Sequence, residues 1–210
     1  MLLVSCAKSS RIPGPDYIPG PEGEYITASW YGEQFHGRPT SSGERYDMYG
    51  LSAAHKTMKF GTRLRVTNPD TEKSVVLIVN DRGPFIDGRD LDLSYGAANE
   101  IGFAAKGVGR IKIEYLGRDI RYAKRVPFVP TDITGILTIQ VGSFTEQANA
   151  ARLKQGLDIA YSDVYITTVQ LQGREFHRVR IGKFSDRDNA YMVAKKLADE
   201  GYTTLITSRN

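Results

Sequence analysis

Three short stretches of the chain carry side chains able to hold or move a proton. In NDRGPF, at 80–85, Asp81 comes directly after the apolar run VVLIV at 75–79. A carboxyl at the mouth of a strand that wants burial has its charged form disfavoured. Partial burial would raise its pKa and keep it protonated near neutral pH, ready to donate a proton. The alternative for Asp81 is to bond turn amides ahead of Gly83-Pro84. Arg82 would oppose the burial effect, but strand alternation is expected to send its side chain to the opposite face. In AAHKT, at 53–57, His55 sits between small residues and Lys56-Thr57, which reads as a strand edge facing a pocket. An imidazole there would orient a carboxylate and tune its pKa, or be a structural histidine with its bonds satisfied. Glu44, in TSSGERYD, follows Gly43 and on residue type alone is a loop acid. His36, His55 and His177 share no metal-ligand spacing and no cysteine joins them, so neither metal nor other cofactor is expected.

These residues need a scaffold. The chain has 210 residues, 40% hydrophobic and 25% charged, a globular composition with room for one or two domains. Lys and Arg total 28 against 24 acids, a net charge of +4. So mild a balance, with no concentrated basic face, does not call for nucleic acid. No apolar run reaches the roughly 18 residues a spanning helix needs. Residues 24–117 hold short strand patterns, YITASWYG, RLRVTN, SVVLIVN and RIKIEYLG, with the turn NPDTEK at 68–73. This reads as a small, mainly β barrel whose one helical pattern is LSYGAANEIG at 93–102. Asp90 and Asp92, in RDLDLS, alternate on a strand or turn, and Asp92 is expected to cap that helix together with Ser94. Tyr31, Phe35 and Tyr46 could line a groove, although such aromatics more often serve as core. Residues 118–134 hold two prolines and four cations against two acids, and read as a linker.

Residues 135–210 contain an internal repeat. IQVGSFTEQANAARLKQGL at 139–157 aligns at a single offset with VRIGKFSDRDNAYMVAKKL at 179–197. Each half opens as a strand, passes Gly-x-Phe and enters an amphipathic helix, with Thr145 and Ser185 the expected N-caps. Adding DVYITTVQ and TTLITS gives the order βαββαβ, a small α+β, ferredoxin/RNP-like unit with one sheet face free. That topology also describes RNA-binding modules, but no run of aromatics suited to base stacking is present.

At the other end, Leu3-Val4-Ser5-Cys6 resembles a lipobox, whose cysteine is lipidated and becomes the mature N-terminus. Residues 1–6 would be the remnant of a signal peptide and 7–23, rich in Pro, Gly and Ser, a flexible tether. Only five residues precede Cys6 and none is basic, so the true start is expected upstream of Met1.

ASWYGEQFHGRPTSSGERYD, LSAAHKT, GTRLRVTN, VNDRGPF and GRDLDLSYGAANEIG together resemble the double-psi β-barrel of the rare lipoprotein A family. IQVGSF and HRVRIGKF resemble a SPOR domain, and the order lipobox, tether, barrel, linker, SPOR domain covers nearly the whole chain. The resemblance implies a Gram-negative cell-envelope lipoprotein, anchored through Cys6 and facing the periplasm from the outer membrane. It implies endolytic lytic transglycosylase activity on peptidoglycan strands stripped of stem peptides, with Asp81, Glu44 and His55 catalytic. It also implies that Gln140, Ser143, Phe176 and Arg178 contact the same denuded glycan, directing the protein to division sites and division proteins. The other reading is an expansin-like barrel that grips glycan without cutting it.

Overall fold

The computed structural model describes residues 22–127 and 135–209. Cys6, the tether up to residue 21 and the linker from 128 to 134 lie outside the described residues.

Six strands close the first unit into a barrel: β1 (Glu24–Tyr31), β2 (Ser52–His55), β3 (Thr62–Thr67), β4 (Ser74–Asp81), β5 (Leu91–Ser94) and β6 (Val108–Arg118), in the order β1-β5-β2-β4-β3-β6. The pairs β1–β5 and β2–β4 are parallel and the rest antiparallel, the double-psi arrangement anticipated from the motifs. The pattern of β4 shows how sequence fixes register. Val75, Leu77 and Val79 point into the core while Val76 is exposed, the period-2 alternation of a half-buried strand. The alternation fails at the end: Asn80 and Asp81 are both buried, because loop 40–44 folds over them. Helix α1 (Tyr95–Glu100) is capped by Ser94, whose Oγ accepts from the Ala97 amide. Asp92 takes no part in that cap, contrary to the expectation from RDLDLS; its carboxylate is turned to Ser29.

The second unit is βαββαβ as read from the repeat: β7 (Leu137–Phe144), α2 (Gln147–Asp158), β8 (Val164–Leu171), β9 (Arg174–Phe184), α3 (Arg187–Glu200) and β10 (Leu205–Ser208). The sheet runs β10-β7-β9-β8, antiparallel throughout, with both helices packed against one face. Gly182 explains the Gly-x-Phe signature. Its φ is +80° and a Cβ would stand 2.2 Å from the Phe184 ring, so only glycine lets that ring fold back. The helix starts differ from expectation by one residue. The N-caps are Glu146 and Asp186 rather than Thr145 and Ser185. Asp186 accepts from the amides of Asp188 and Asn189, which makes it the better cap, whereas Glu146 makes no side-chain cap bond.

The two units share a buried seam. Phe60, fully buried, leaves the barrel to join the hydrophobic core of the second unit, and its amide donates to the Glu200 carbonyl. The segment after β6 is not a passive linker: Tyr122 and Val126 pack on the same core, and the Lys124 amide donates to the Ala198 carbonyl.

Candidate active site

Asp81 ends β4 with 3% of its surface exposed. Its Oδ1 accepts from the amides of Ser41 and Arg82, each at 2.8 Å. Burial pushes its carboxyl pKa up; the bonds from Ser41 and from the Arg82 amide pull the other way, as does the Arg152 guanidinium 4.0 Å away. Thus the turn-amide role and the raised acid, alternatives in the sequence, are both present at Asp81. The Arg82 side chain turns away as alternation requires. Its guanidinium lies over the Phe60 ring at 3.8 Å, Nε donates to the Tyr202 hydroxyl at 2.6 Å and Nη1 donates to the Met58 carbonyl.

Glu44 is held beside this strand end by two bonds. Oε2 accepts from Asn80 Nδ2 at 2.8 Å and Oε1 from the Tyr122 hydroxyl at 2.7 Å. Burial and the Glu44 carboxylate push the Tyr122 phenol above its usual range. The Ser42 amide donates to the Asn80 carbonyl, so loop 40–44 is clasped to β4 at both Asn80 and Asp81.

His55 is buried, and burial first, then the Arg82 and Lys56 charges, push its pKa down to about 3. The ring is neutral at pH 7. Its Nδ1 accepts from the Thr57 and Met58 amides, so the proton resides on Nε2. His55 thereby shapes the turn whose Met58 carbonyl anchors Arg82. Both of these Nδ1 bonds are to backbone amides. Tyr46 is core, stacked on Tyr31 at 4.1 Å, while Phe35 carries the Arg152 guanidinium over its ring at 4.7 Å.

Sequence reasoning missed two participants. Asp92 is a second, half-buried acid: Ala54 of β2 pairs with Asp81 on one side and with Asp92 on the other. Burial pushes the Asp92 carboxyl up, Ser29 and Arg89 oppose this, and the charge of Asp81 adds to it. The alternation in LDLS, with Leu91 and Leu93 pointing into the core, is the signal that could have separated Asp92 from the helix cap. Arg152 gave no local signal, since it arrives from the other unit on α2. With Phe144, Asn149 and Leu153 it closes the space at Asp81 down to a cavity of about 10 Å³, the room of a single water.

On the second unit, Gln140, Ser143, Phe176 and Arg178 are brought to the open sheet face. Ser143 pairs directly with Arg178, and Gln140 with Arg180. The Nε atoms of Arg178 and Arg180 are buried with no hydrogen-bond partner among the described residues. Two adjacent guanidinium donors left open in this way suit an anionic ligand.

The family profile "Lytic transglycolase" matches residues 24–113 and the "SPOR domain" profile matches 134–207. An endolytic peptidoglycan transglycosylase RlpA from Vibrio cholerae is 35% identical over 199 residues, covering 93% of this chain and 74% of that protein. The protein of the same name from Neisseria meningitidis serogroup A is 36% identical over 197 residues, covering 90% and 79%. The solved SPOR domain of RlpA from Pseudomonas aeruginosa aligns over 33% of this chain and 96% of that domain, at 29% identity and a TM-score of 0.29. With a relative 35% identical across 93% of this chain, the chain belongs to the rare lipoprotein A (RlpA) family.

Proposed function

We propose that this protein is an endolytic lytic transglycosylase of the bacterial cell envelope. It would cleave the β-1,4 bond between N-acetylmuramic acid and N-acetylglucosamine in strands lacking stem peptides, leaving 1,6-anhydromuramyl ends. The observation that carries this reading is the Asp81 carboxyl, buried at the end of β4 with its pKa raised, and the names of the relatives agree with it. Glycosidic cleavage needs an acid at the leaving oxygen. Protonated Asp81 gives its proton to O4 as the C1–O4 bond breaks. The C6 hydroxyl of the same muramyl ring attacks C1, the C1–O6 bond forms, and the hydroxyl proton passes to the Asp81 carboxylate. No water enters, and the nucleophile is already in place. The Asp81 charge, across Ala54, adds to the upward push on the Asp92 carboxyl. Glu44 steadies loop 40–44 and presents a carboxylate to the sugar. Neutral His55 holds the turn behind Arg82. A sugar reaches Asp81 only when Arg152 and its neighbours on α2 draw back.

The sheet face serves as the targeting surface. Arg178, with Arg180 beside it, pairs with the lactyl carboxylate bared on each muramyl sugar, Phe176 offers a ring, and Gln140 and Ser143 offer polar contacts. Lipidation at Cys6 would tether the protein to the outer membrane, facing the periplasm, where division proteins are its expected neighbours.

Incubation of the protein with amidase-stripped peptidoglycan, followed by mass spectrometry, tests the reading. Products one water lighter than hydrolysis products are expected, and none with Asp81→Asn. Full hydrolytic masses would mean a water nucleophile. Glycan retained by the protein without any cleavage would leave the expansin-like reading. A second prediction concerns pH. Activity should fall as pH rises through the Asp81 pKa, because the acid must carry its proton. Arg152 favours the carboxylate, so Arg152→Ala should move that alkaline limb of kcat/KM upward. An unmoved limb would remove Arg152 from the electrostatics of the site.

A further inference from the structure

A cleft of about 900 Å³ opens between the two units, within the size range of small-ligand sites. One wall is the barrel segment 36–45, with Arg38 and Arg45; the other is Gln140, Ser143 and Phe176 of the sheet, with Glu146 at the start of α2. Three of the four residues assigned above to glycan contact therefore face the barrel across a common space. Ser143 and Phe176 also belong to the open sheet face, where Ser143 pairs with Arg178. The cleft thus continues the sheet face toward the barrel without a break. At its inner end it shares Pro39, Thr40, Ser41, Phe144, Asn149 and Leu153 with the small cavity at Asp81, so these six form the partition between the cleft and the acid. The two barrel arginines face a single acid, Glu146, which stands 3.9 Å from Arg38. The wall keeps a positive excess, suited to a ligand bearing regularly spaced carboxylates.

We propose that this cleft is a binding site for a peptide-free glycan strand, gripped by both units at once and lying directly in front of Asp81. The assignment rests on the reading that the sheet face binds such strands. It gives the barrel wall, and Arg38 and Arg45 in particular, a recognition role: they take the lactyl carboxylates of the stretch of strand that has left the sheet. The partition then separates a bound strand from the acid by one layer of side chains. Strand capture and bond cleavage become successive events at one site.

The test is binding of size-fractionated, peptide-free glycan oligosaccharides to the whole protein, read by calorimetry at low salt. Arg38→Ala combined with Arg45→Ala touches neither Asp81 nor the sheet. It should weaken long oligosaccharides about fivefold and leave the shortest ones, which fit on the sheet alone, unchanged. A misfolded variant would lose both. Phe176→Ala should weaken every length. Equal affinity of the double variant and the parent for long strands would overturn the shared site while leaving the sheet reading intact. If Phe176→Ala also has no effect, the sheet reading and the shared site fall together. Because binding is the readout, absence of cleavage does not enter the result.

Discussion

Arg82→Ala should destabilise the protein by about 3–5 kcal/mol and split its unfolding into two transitions. The Arg82 guanidinium is buried at the seam between the units, and its ring and hydrogen-bond contacts are with neutral groups: the Phe60 ring, the Tyr202 hydroxyl and the Met58 carbonyl. A desolvated cation–π contact contributes about 2 kcal/mol and each hydrogen bond to a charged group about 1.5–3 kcal/mol. Removing the side chain also leaves the fully buried Tyr202 phenol and the Met58 carbonyl short of a donor. Both ends of the arrangement belong to different units, since Tyr202 follows α3 while Arg82 follows β4. Loss of the cation therefore uncouples units that otherwise melt together. Arg82→Lys should recover only part of the loss, because a point charge cannot replace the planar fork stacked on Phe60. Calorimetry of the three proteins checks this. A single transition shifted by less than about 1 kcal/mol in Arg82→Ala would show that the seam does not depend on the cation.

Acid should weaken the fold chiefly through His55. Its folded pKa, about 3, lies below the ordinary histidine value of 6.5 because the charged ring is disfavoured by burial and by Arg82 and Lys56. A depressed pKa contributes stability that is present above pH 6.5 and is lost as pH falls through about 3. At 1.36 kcal/mol per pH unit the full loss is about 4–5 kcal/mol. The buried carboxyls of Asp81 and Glu200 and the half-buried one of Asp92 act in the opposite sense. Their pKa values are raised, so their contribution is present at low pH and fades as pH rises through those values. They offset part of the His55 effect on acidification. His55→Gln isolates the histidine: a glutamine carbonyl can still accept an amide proton but does not titrate. In urea unfolding, the variant should be the less stable protein at pH 7 and lose its disadvantage toward pH 4. A stability gap that stays constant between the two pH values would assign the acid sensitivity elsewhere.

What could be read in the sequence was what local pattern determines. VVLIV followed by Asp81 announced a buried strand with an acid at its mouth, and the structure has both. The repeat at 139–157 and 179–197 announced two strand–helix halves because the Gly-x-Phe turn and the helix periodicity are carried within each half. The helix caps slipped by one residue because Ser, Thr and Asp compete for the same position, and Asp186 reaches two amides where Ser185 does not. Glu44 was legible only through family resemblance: its partners, Asn80 and Tyr122, are 36 and 78 residues away. Arg152 carried no signal at all. Nothing in an amphipathic helix indicates which exposed arginine will meet an acid on another unit, and that choice is made by docking.

The duplication that built the second unit offers the barrel two helices of the same make, and a pseudo-symmetric partner is in principle ambiguous about which to seat. Gly156 removes the ambiguity. A Cβ there would lie 2.8 Å from the Cβ of Arg82, so only a helix bare at that place can approach the strand end. The matching place on α3 is Lys196, and the place matching Arg152 is Met192, which is largely exposed. The absence of one side chain thus works as a key. It tells two copies of one motif apart and decides which of them faces the acid.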